Sequence, residues 1–434
     1  MTGDIWAREE IESPCVKLCV IHPEARICAG CYRTIDESDA QVDVWAEAHP
    51  HLTEVITIGR SYEGRPLRVL RISNRATDDD TVQFGPKPVF FLIANIHGRE
   101  LITNEAAMVF IEQLLTTYRL DPDVTWLLNE HAIYVLISAN PDGHIKNEPG
   151  EPWSWWRKNT NPENGYCSGA NYGIDLNRNS SFGWGGTGAS SNPCDSTYRG
   201  PAAASEVETQ AVQTFMQTIF EDQRGPERED AAPEDTTGVF ITLHSYGNLV
   251  LWPWGDTYSA APNDAQLRQL GRKFAAFNSY TAQQASDLYP TSGATDDWSY
   301  GDLGIASYTF EIGSSRDGFY PVCHRYDALI EPNLRAFFYA AKVARTPYQL
   351  PYGPSVSAVR VPTATIQIGD QVHIHATVDD GDNGGQNIAA AEAYVGEPPW
   401  RAGAPITFTA QDGAFDSVVE EIGGNIDTTD METG

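Results

Sequence analysis

A chain of 434 residues is long enough for two or more domains and a large core. Its 59 Asp and Glu against 29 Lys and Arg give a formal charge of −30, which argues against nucleic acid and anionic membranes as partners. No apolar run approaches the ~18 residues of a membrane span, and the opening residues lack the charged-then-apolar profile of a signal peptide.

The chain opens with four cysteines, Cys15, Cys19, Cys28 and Cys31. Four thiolates so spaced fit a small metal knuckle; two disulfides are the other reading. Beyond them, β-branched apolar runs at residues 88–95, 131–139, 238–244 and 306–312 predict strands. Periodic segments at residues 103–118, 205–220, 264–280 and 325–343 predict helices between them. The alternation predicts an α/β fold, a mixed, mostly parallel sheet with helices on both faces, with ligands at the carboxyl ends of the strands. Residues 221–237, with their charges and two prolines, read as a solvated insertion.

From about residue 351 the chain turns rich in Val, Thr, Ile and Gly, with period-two alternation at residues 365–368 and 372–378. This predicts a β-sandwich-like, immunoglobulin-like appendage over residues 351–434. It ends at Gly434 without an evident closing strand, as a domain cut short would. Residues 379–384 read as a hairpin turn in preference to a calcium loop.

The chemistry centres on His97-Gly98-Arg99-Glu100, a His and a Glu three apart just beyond a predicted strand. A catalytic zinc needs three protein ligands and an open position for water. The run at residues 238–244 ends at His244, a third ligand at the mouth of another strand. Glu311 closes a further strand facing the same crevice, where a carboxylate beside the metal fits acid–base work.

Several motifs accompany these in order: Ile58-Gly59-Arg60-Ser61-Tyr62-Glu63-Gly64-Arg65-Pro66-Leu67, Trp156-Arg157-Lys158-Asn159, Asp175-Leu176-Asn177-Arg178-Asn179, Tyr289-Pro290-Thr291-Ser292-Gly293 and Tyr308-Thr309-Phe310-Glu311-Ile312. Together they resemble the zinc carboxypeptidases of the A/B type, the peptidase M14 family, over about residues 39–347. The resemblance implies a catalytic domain at residues 39–348 and one zinc held by His97, Glu100 and His244. It assigns Glu311 as general base and Arg157 as the cation for the oxyanion. Asn177 and Arg178 would hold the substrate's terminal carboxylate, Arg99 would line a neighbouring subsite and Tyr289 would close over the bound terminus. Asp175 is similar to the carboxylate that orients a zinc-bound imidazole; a turn-forming Asp is its other reading. Asp296 falls where members that cleave C-terminal Lys or Arg carry an acid; helix capping is its other reading. Peptide and protein C-termini, with basic or mixed terminal residues, are the implied substrates.

The segment at residues 1–38 resembles the short Cys-rich DUF1289 family, which implies a second zinc or an iron–sulfur cluster on Cys15, Cys19, Cys28 and Cys31 and a cytoplasmic setting. Cys167 and Cys194 bracket the Asn177-Arg178 loop, where carboxypeptidases carry a disulfide, and imply an oxidising compartment. Cys323 is left over. The balance leans slightly to a secreted or periplasmic protein. A related hydrolase of cell-wall peptide or small amides, and a non-catalytic binding or adhesion protein, are the competing readings.

Overall fold

A computed structural model describes residues 33–78, 87–148, 155–168, 171–361 and 366–429. Two compact units divide the chain, and the first takes in residues 33–78 and 87–348. It opens with α1 (Ile35–Ala48), started by a capping box in which Thr34 and Glu37 satisfy each other's backbone N–H groups. This helix spans the boundary expected between residues 38 and 39.

Eight strands follow, β1 (Thr53–Arg60), β2 (Pro66–Ile72), β3 (Val89–Ile93), β4 (Ala132–Leu136), β5 (Val239–His244), β6 (Leu249–Trp252), β7 (Thr281–Gln284) and β8 (Ala306–Glu311). They form one sheet in the order β1-β2-β4-β3-β5-β8-β6-β7. The centre, β4-β3-β5-β8, is parallel throughout. Antiparallel pairing joins β1, β2 and β4 at one side and β6 to β8 at the other.

Parallel strands need crossovers, and the helices supply them. These are α2 (Leu101–Thr117), α3 (Pro122–Glu130), α4 (Pro141–Ile145), α5 (Val207–Ile219), α6 (Asp264–Asn278), α7 (Ala285–Leu288), α8 (Thr295–Leu303) and α9 (Tyr326–Val343). Alternate residues of β3 enter different cores. Phe90 and Leu92 pack in a cluster with Ile111, Leu127, Phe274 and Phe337 of α2, α3, α6 and α9. Phe91 and Ile93 pack with Val212, Phe215 and Trp298 of α5 and α8. Burial on both faces is why the central strands read as continuous apolar runs.

Register positions the chemistry. Ile93 lies opposite Thr242 across β3 and β5, and His244 opposite Glu311 across β5 and β8. The carboxyl ends of three adjacent strands are therefore level.

The expected strands and helices are present with ends shifted by a few residues. The insertion at residues 221–237 is mostly exposed as expected, with an exception at Arg224, which is buried, donates to the Gly301, Glu227 and Arg228 carbonyls, and lies over the rings of Trp254 and Tyr300. Its charge is satisfied by carbonyls and aromatic faces rather than by water.

The second unit runs from residue 349. Strands β9 (Ser355–Arg360), β10 (Gln371–Asp379), β11 (Ala391–Ala393), β12 (Ile406–Ala410) and β13 (Val419–Asp427) form an antiparallel sheet in the order β11-β12-β13-β10-β9. Ala376, Val378, Ile388, Phe408 and Ile422 make its own small core. Residues 366–368 precede β10 without joining a strand, and β13, unread in the sequence, pairs with β10 along its whole length. In the expected turn, Asp379 accepts from the Gly381 N–H and Asp380 from the Gln386 N–H, so both carboxylates serve the loop's own backbone.

Candidate metal centre

His97 and Glu100 sit in the short loop between β3 and α2, and His244 is the last residue of β5. All are buried. Their donor atoms lie within 4.8 Å of one another, and among the described residues they are the group of three or more His, Cys, Asp or Glu so placed. His97 Nδ1 lies 2.9 Å from Glu100 Oε1 and 3.1 Å from His244 Nδ1, which is 3.2 Å from Glu100 Oε2. A tetrahedral ion with bonds of ~2.0–2.2 Å needs donors about 3.3 Å apart, so these three fit.

Proton placement supports the same reading. Burial would raise the Asp175 carboxyl, but Arg157 and His97 beside it hold it well below the usual range, so it only accepts. It lies 3.1 Å from His97 Nε2, which therefore carries the hydrogen. Burial pushes the His97 pKa down, and the neutral ring turns a bare Nδ1 lone pair toward the Nδ1 of His244. Two imidazole nitrogens so close must share a proton or a metal ion. Burial lowers the proton affinity of His244, but the bonded Glu100 more than offsets this, so a proton there competes with a metal.

Asp175 also accepts from Arg157 Nε and Nη2 at 3.0 and 2.8 Å. One buried carboxylate thus fixes both the ligand ring and the guanidinium. Arg157, Arg99, Asn177, Arg178, Tyr289, Asp296 and Glu311 all line the pocket that holds the three donors. Asn177 Oδ1 accepts from the backbone N and hydroxyl of Thr295, which leaves its Nδ2 for another partner. Arg178 is anchored by donating to the Gly188 and Asn177 carbonyls. The Arg99 guanidinium lies 4.1 Å over the Phe319 ring. Tyr289 is 48 % exposed, at the mouth. Burial pushes the Glu311 carboxyl up to about 7, opposed by His244 and reinforced by Glu100.

Residues 39–335 match the family described as zinc carboxypeptidase. The chain belongs to this family. Carboxypeptidase A2 of Mus musculus is 33 % identical over 292 residues, covering 65 % of this chain and 63 % of that protein. Carboxypeptidase B of Homo sapiens is 31 % identical over 322 residues, covering 71 % of this chain and 69 % of the other. Bovine thrombin-activatable fibrinolysis inhibitor, solved with tick carboxypeptidase inhibitor, superposes with a TM-score of 0.61 at 27 % identity, over 72 % of this chain and 97 % of that one. The chain spans under two thirds of the length of the first of these relatives. Residues 13–47 match a second family, a protein of unknown function (DUF1289).

The zinc carboxypeptidase family is zinc-dependent, and this chain has a His-Glu-His donor set for the metal. Cys15, Cys19, Cys28 and Cys31, with the second zinc or iron–sulfur cluster expected on them, lie outside the described residues. Cys167 and Cys194 form the expected disulfide. Cys323 is also disulfide-bonded, which corrects its reading as a leftover thiol. No helix among the described residues is long and apolar enough to cross a membrane.

The pocket also contains Tyr246, Leu251, Gly255, Ala285, Leu288, Thr309 and Phe319, none of which sequence reasoning singled out. Thr309 stood within a quoted motif, two residues before Glu311, and Tyr246 lies two residues beyond His244. Phe319 lies in a loop without periodicity, and no local pattern marks it.

Gly98, between the ligands, has no room for a side chain: a Cβ there would meet the Gly143 carbonyl carbon and oxygen at 2.3 Å. Gly98→Ala should displace the loop and lower bound zinc per chain several-fold in folded protein, as read by metal analysis beside circular dichroism. Full zinc occupancy would show that the loop tolerates the shift.

Proposed function

We propose that the chain is a zinc-dependent carboxypeptidase that hydrolyses the C-terminal peptide bond of peptides and proteins and prefers Lys or Arg there. Residues 39–348 are its catalytic domain and residues 351–434 an appended β-rich domain. The observation that carries the reading is that one pocket joins the three donors to Glu311 and to a terminus-binding pair, Asn177 and Arg178. Zinc held by His97, Glu100 and His244 would act as Lewis acid and lower the pKa of a water toward ~7.

The remaining work falls to side chains. Glu311, level with His244 across paired strands, takes the water's proton and returns it to the departing nitrogen. Arg157, fixed by Asp175, meets the negative charge that develops on the carbonyl oxygen. Arg178 and the Asn177 amide bind the terminal carboxylate, for which a planar guanidinium is suited. Tyr289, exposed at the mouth, covers the bound end, while Arg99 contacts the preceding residue.

Basic preference rests on Asp296. It is buried, lines the pocket and accepts from Thr309 Oγ1 at 3.0 Å. Leu251, Ala285 and Leu288 supply apolar surface for the stem of a long cationic side chain.

Glu311→Gln should keep zinc but lower turnover by ~10²-fold or more, because only proton transfer is removed. Turnover within a few-fold of the parent would remove Glu311 from the role of base.

A peptide panel tests the rest. Free C-terminal Lys and Arg should be released well, the matching C-terminal amides poorly, and Asp296→Ser should lose Lys and Arg release far more than Leu or Phe release. Equal cleavage of amides and acids would sink the exopeptidase reading, and equal losses across side chains would make Asp296 structural.

A further inference from the structure

The loop that carries His97 and Glu100 is held from behind by a residue that no catalytic role requires. Asn95 is wholly buried and adopts a φ of 54°, a region that favours Gly and tolerates Asn. Its side-chain Nδ2 donates to the His97 carbonyl at 3.2 Å and the Gly98 carbonyl at 3.3 Å. With the amide turned that way, Oδ1 faces inward and accepts from Ser138 Oγ at 2.9 Å. It also lies 2.8 Å from His144 Nδ1.

His144 extends the line to the start of the described chain. It is 1 % exposed, and its Nε2 lies 3.2 Å from the carbonyl oxygen of Arg33. Arg33 is itself anchored, since its backbone N–H donates to the buried Glu105 carboxylate on α2 at 2.9 Å. The next contacts repeat the pattern, with the Ile35 N–H donating to Glu148 and Ser38 Oγ to Asn104 on α2. Burial lowers the His144 pKa to about 4, so the neutral ring carries one hydrogen, placed on Nδ1 for Asn95, and a buried line of contacts rather than an unbroken hydrogen-bond chain runs from residue 33, within the stretch matched to the family of unknown function, to the backbone of a metal ligand.

We propose that Asn95, braced by His144 against residue 33, is a positioning residue that fixes the His97–Glu100 loop and so sets how tightly this chain holds its metal. The inference rests on the metal-site reading given above. Pinning the carbonyls at residues 97 and 98 limits the loop's excursions, and a ligand pair that cannot swing out releases its ion more slowly. The N-terminal segment thereby acts on the metal centre from behind, without reaching the pocket.

The test uses the full chain loaded with zinc and follows zinc loss to a chelator, beside thermal unfolding of the metal-free protein. Asn95→Gly suits the backbone conformation and deletes the clamp together with the acceptor of Ser138 Oγ and the partner of His144 Nδ1, so the metal-free protein should unfold at a lower temperature. Its zinc loss, followed well below that temperature, should quicken by about fivefold or more. His144→Phe should quicken loss by about threefold or more, while His144→Gln, which keeps a donor for Asn95, should stay within twofold of the parent. If Asn95→Gly fails to accumulate, the His144 pair gives the same readout. Parent-like zinc loss in Asn95→Gly and His144→Phe overturns the inference alone. A parent chain that holds no stoichiometric zinc overturns the metal-site reading and this inference with it.

Discussion

Two imidazole nitrogens and a carboxylate oxygen are forced together in a dry place, and the architecture around them follows from that constraint. Parallel pairing makes the ends of β3, β5 and β8 level, and short connections leave His97, Glu100 and His244 buried at the pocket that the half-buried Glu311 also lines. Burying unpaired polar groups is expensive. Asp175 resolves much of that cost by taking the hydrogen of His97 on one oxygen and the Arg157 guanidinium on the other. Removing it would strand a buried cation, a change that costs about 3–5 kcal/mol where it has been measured.

Proton affinities separate the acids of the pocket by partner. Glu100 has both imidazoles beside it and Asp175 has Arg157, and each is held below the usual carboxylate range despite burial. Glu311 and Asp296 have weaker compensation, and burial pushes both upward. The first two are committed to fixed partners, Glu100 to the imidazoles and Asp175 to the Arg157 guanidinium. The second two stand where a proton or a cationic guest would be accommodated, which is the division of labour that acid–base and recognition roles ask for.

Much of this was legible in the sequence for a simple reason. Strands buried on both faces leave long apolar runs, and ligands placed directly after such runs are found by looking where the runs stop. The readings failed where a charged or polar residue is satisfied by distant partners. Arg224 looked solvated because nothing local reveals that Trp254 and Tyr300 will flank it. The segment before residue 39 looked separable, yet α1 begins at Ile35 and the Arg33 backbone is tied to Glu105, 72 positions away. Strand β6 and the edge strand β7, of four residues each, and the nine-residue α3 are too short for periodicity to detect.

Asp296 and Asp297 show how finely position decides role. Successive residues on a helix point about 100° apart, so neighbours on α8 address different surroundings. Asp297 accepts from the Gly255 N–H at 2.8 and 3.0 Å and from the Asp256 N–H at 3.2 Å, stitching the turn after β6 to the helix. Asp296 reaches Thr309 on β8 and lines the pocket. Read as a sequence, the pair offered capping or specificity as alternatives for one residue. In the fold, backbone-binding work and pocket-facing position are divided between the two. Asp297, though strongly raised by burial and by its neighbour Asp296, is occupied by the backbone, whereas Asp296 is the one of the two that lines the pocket.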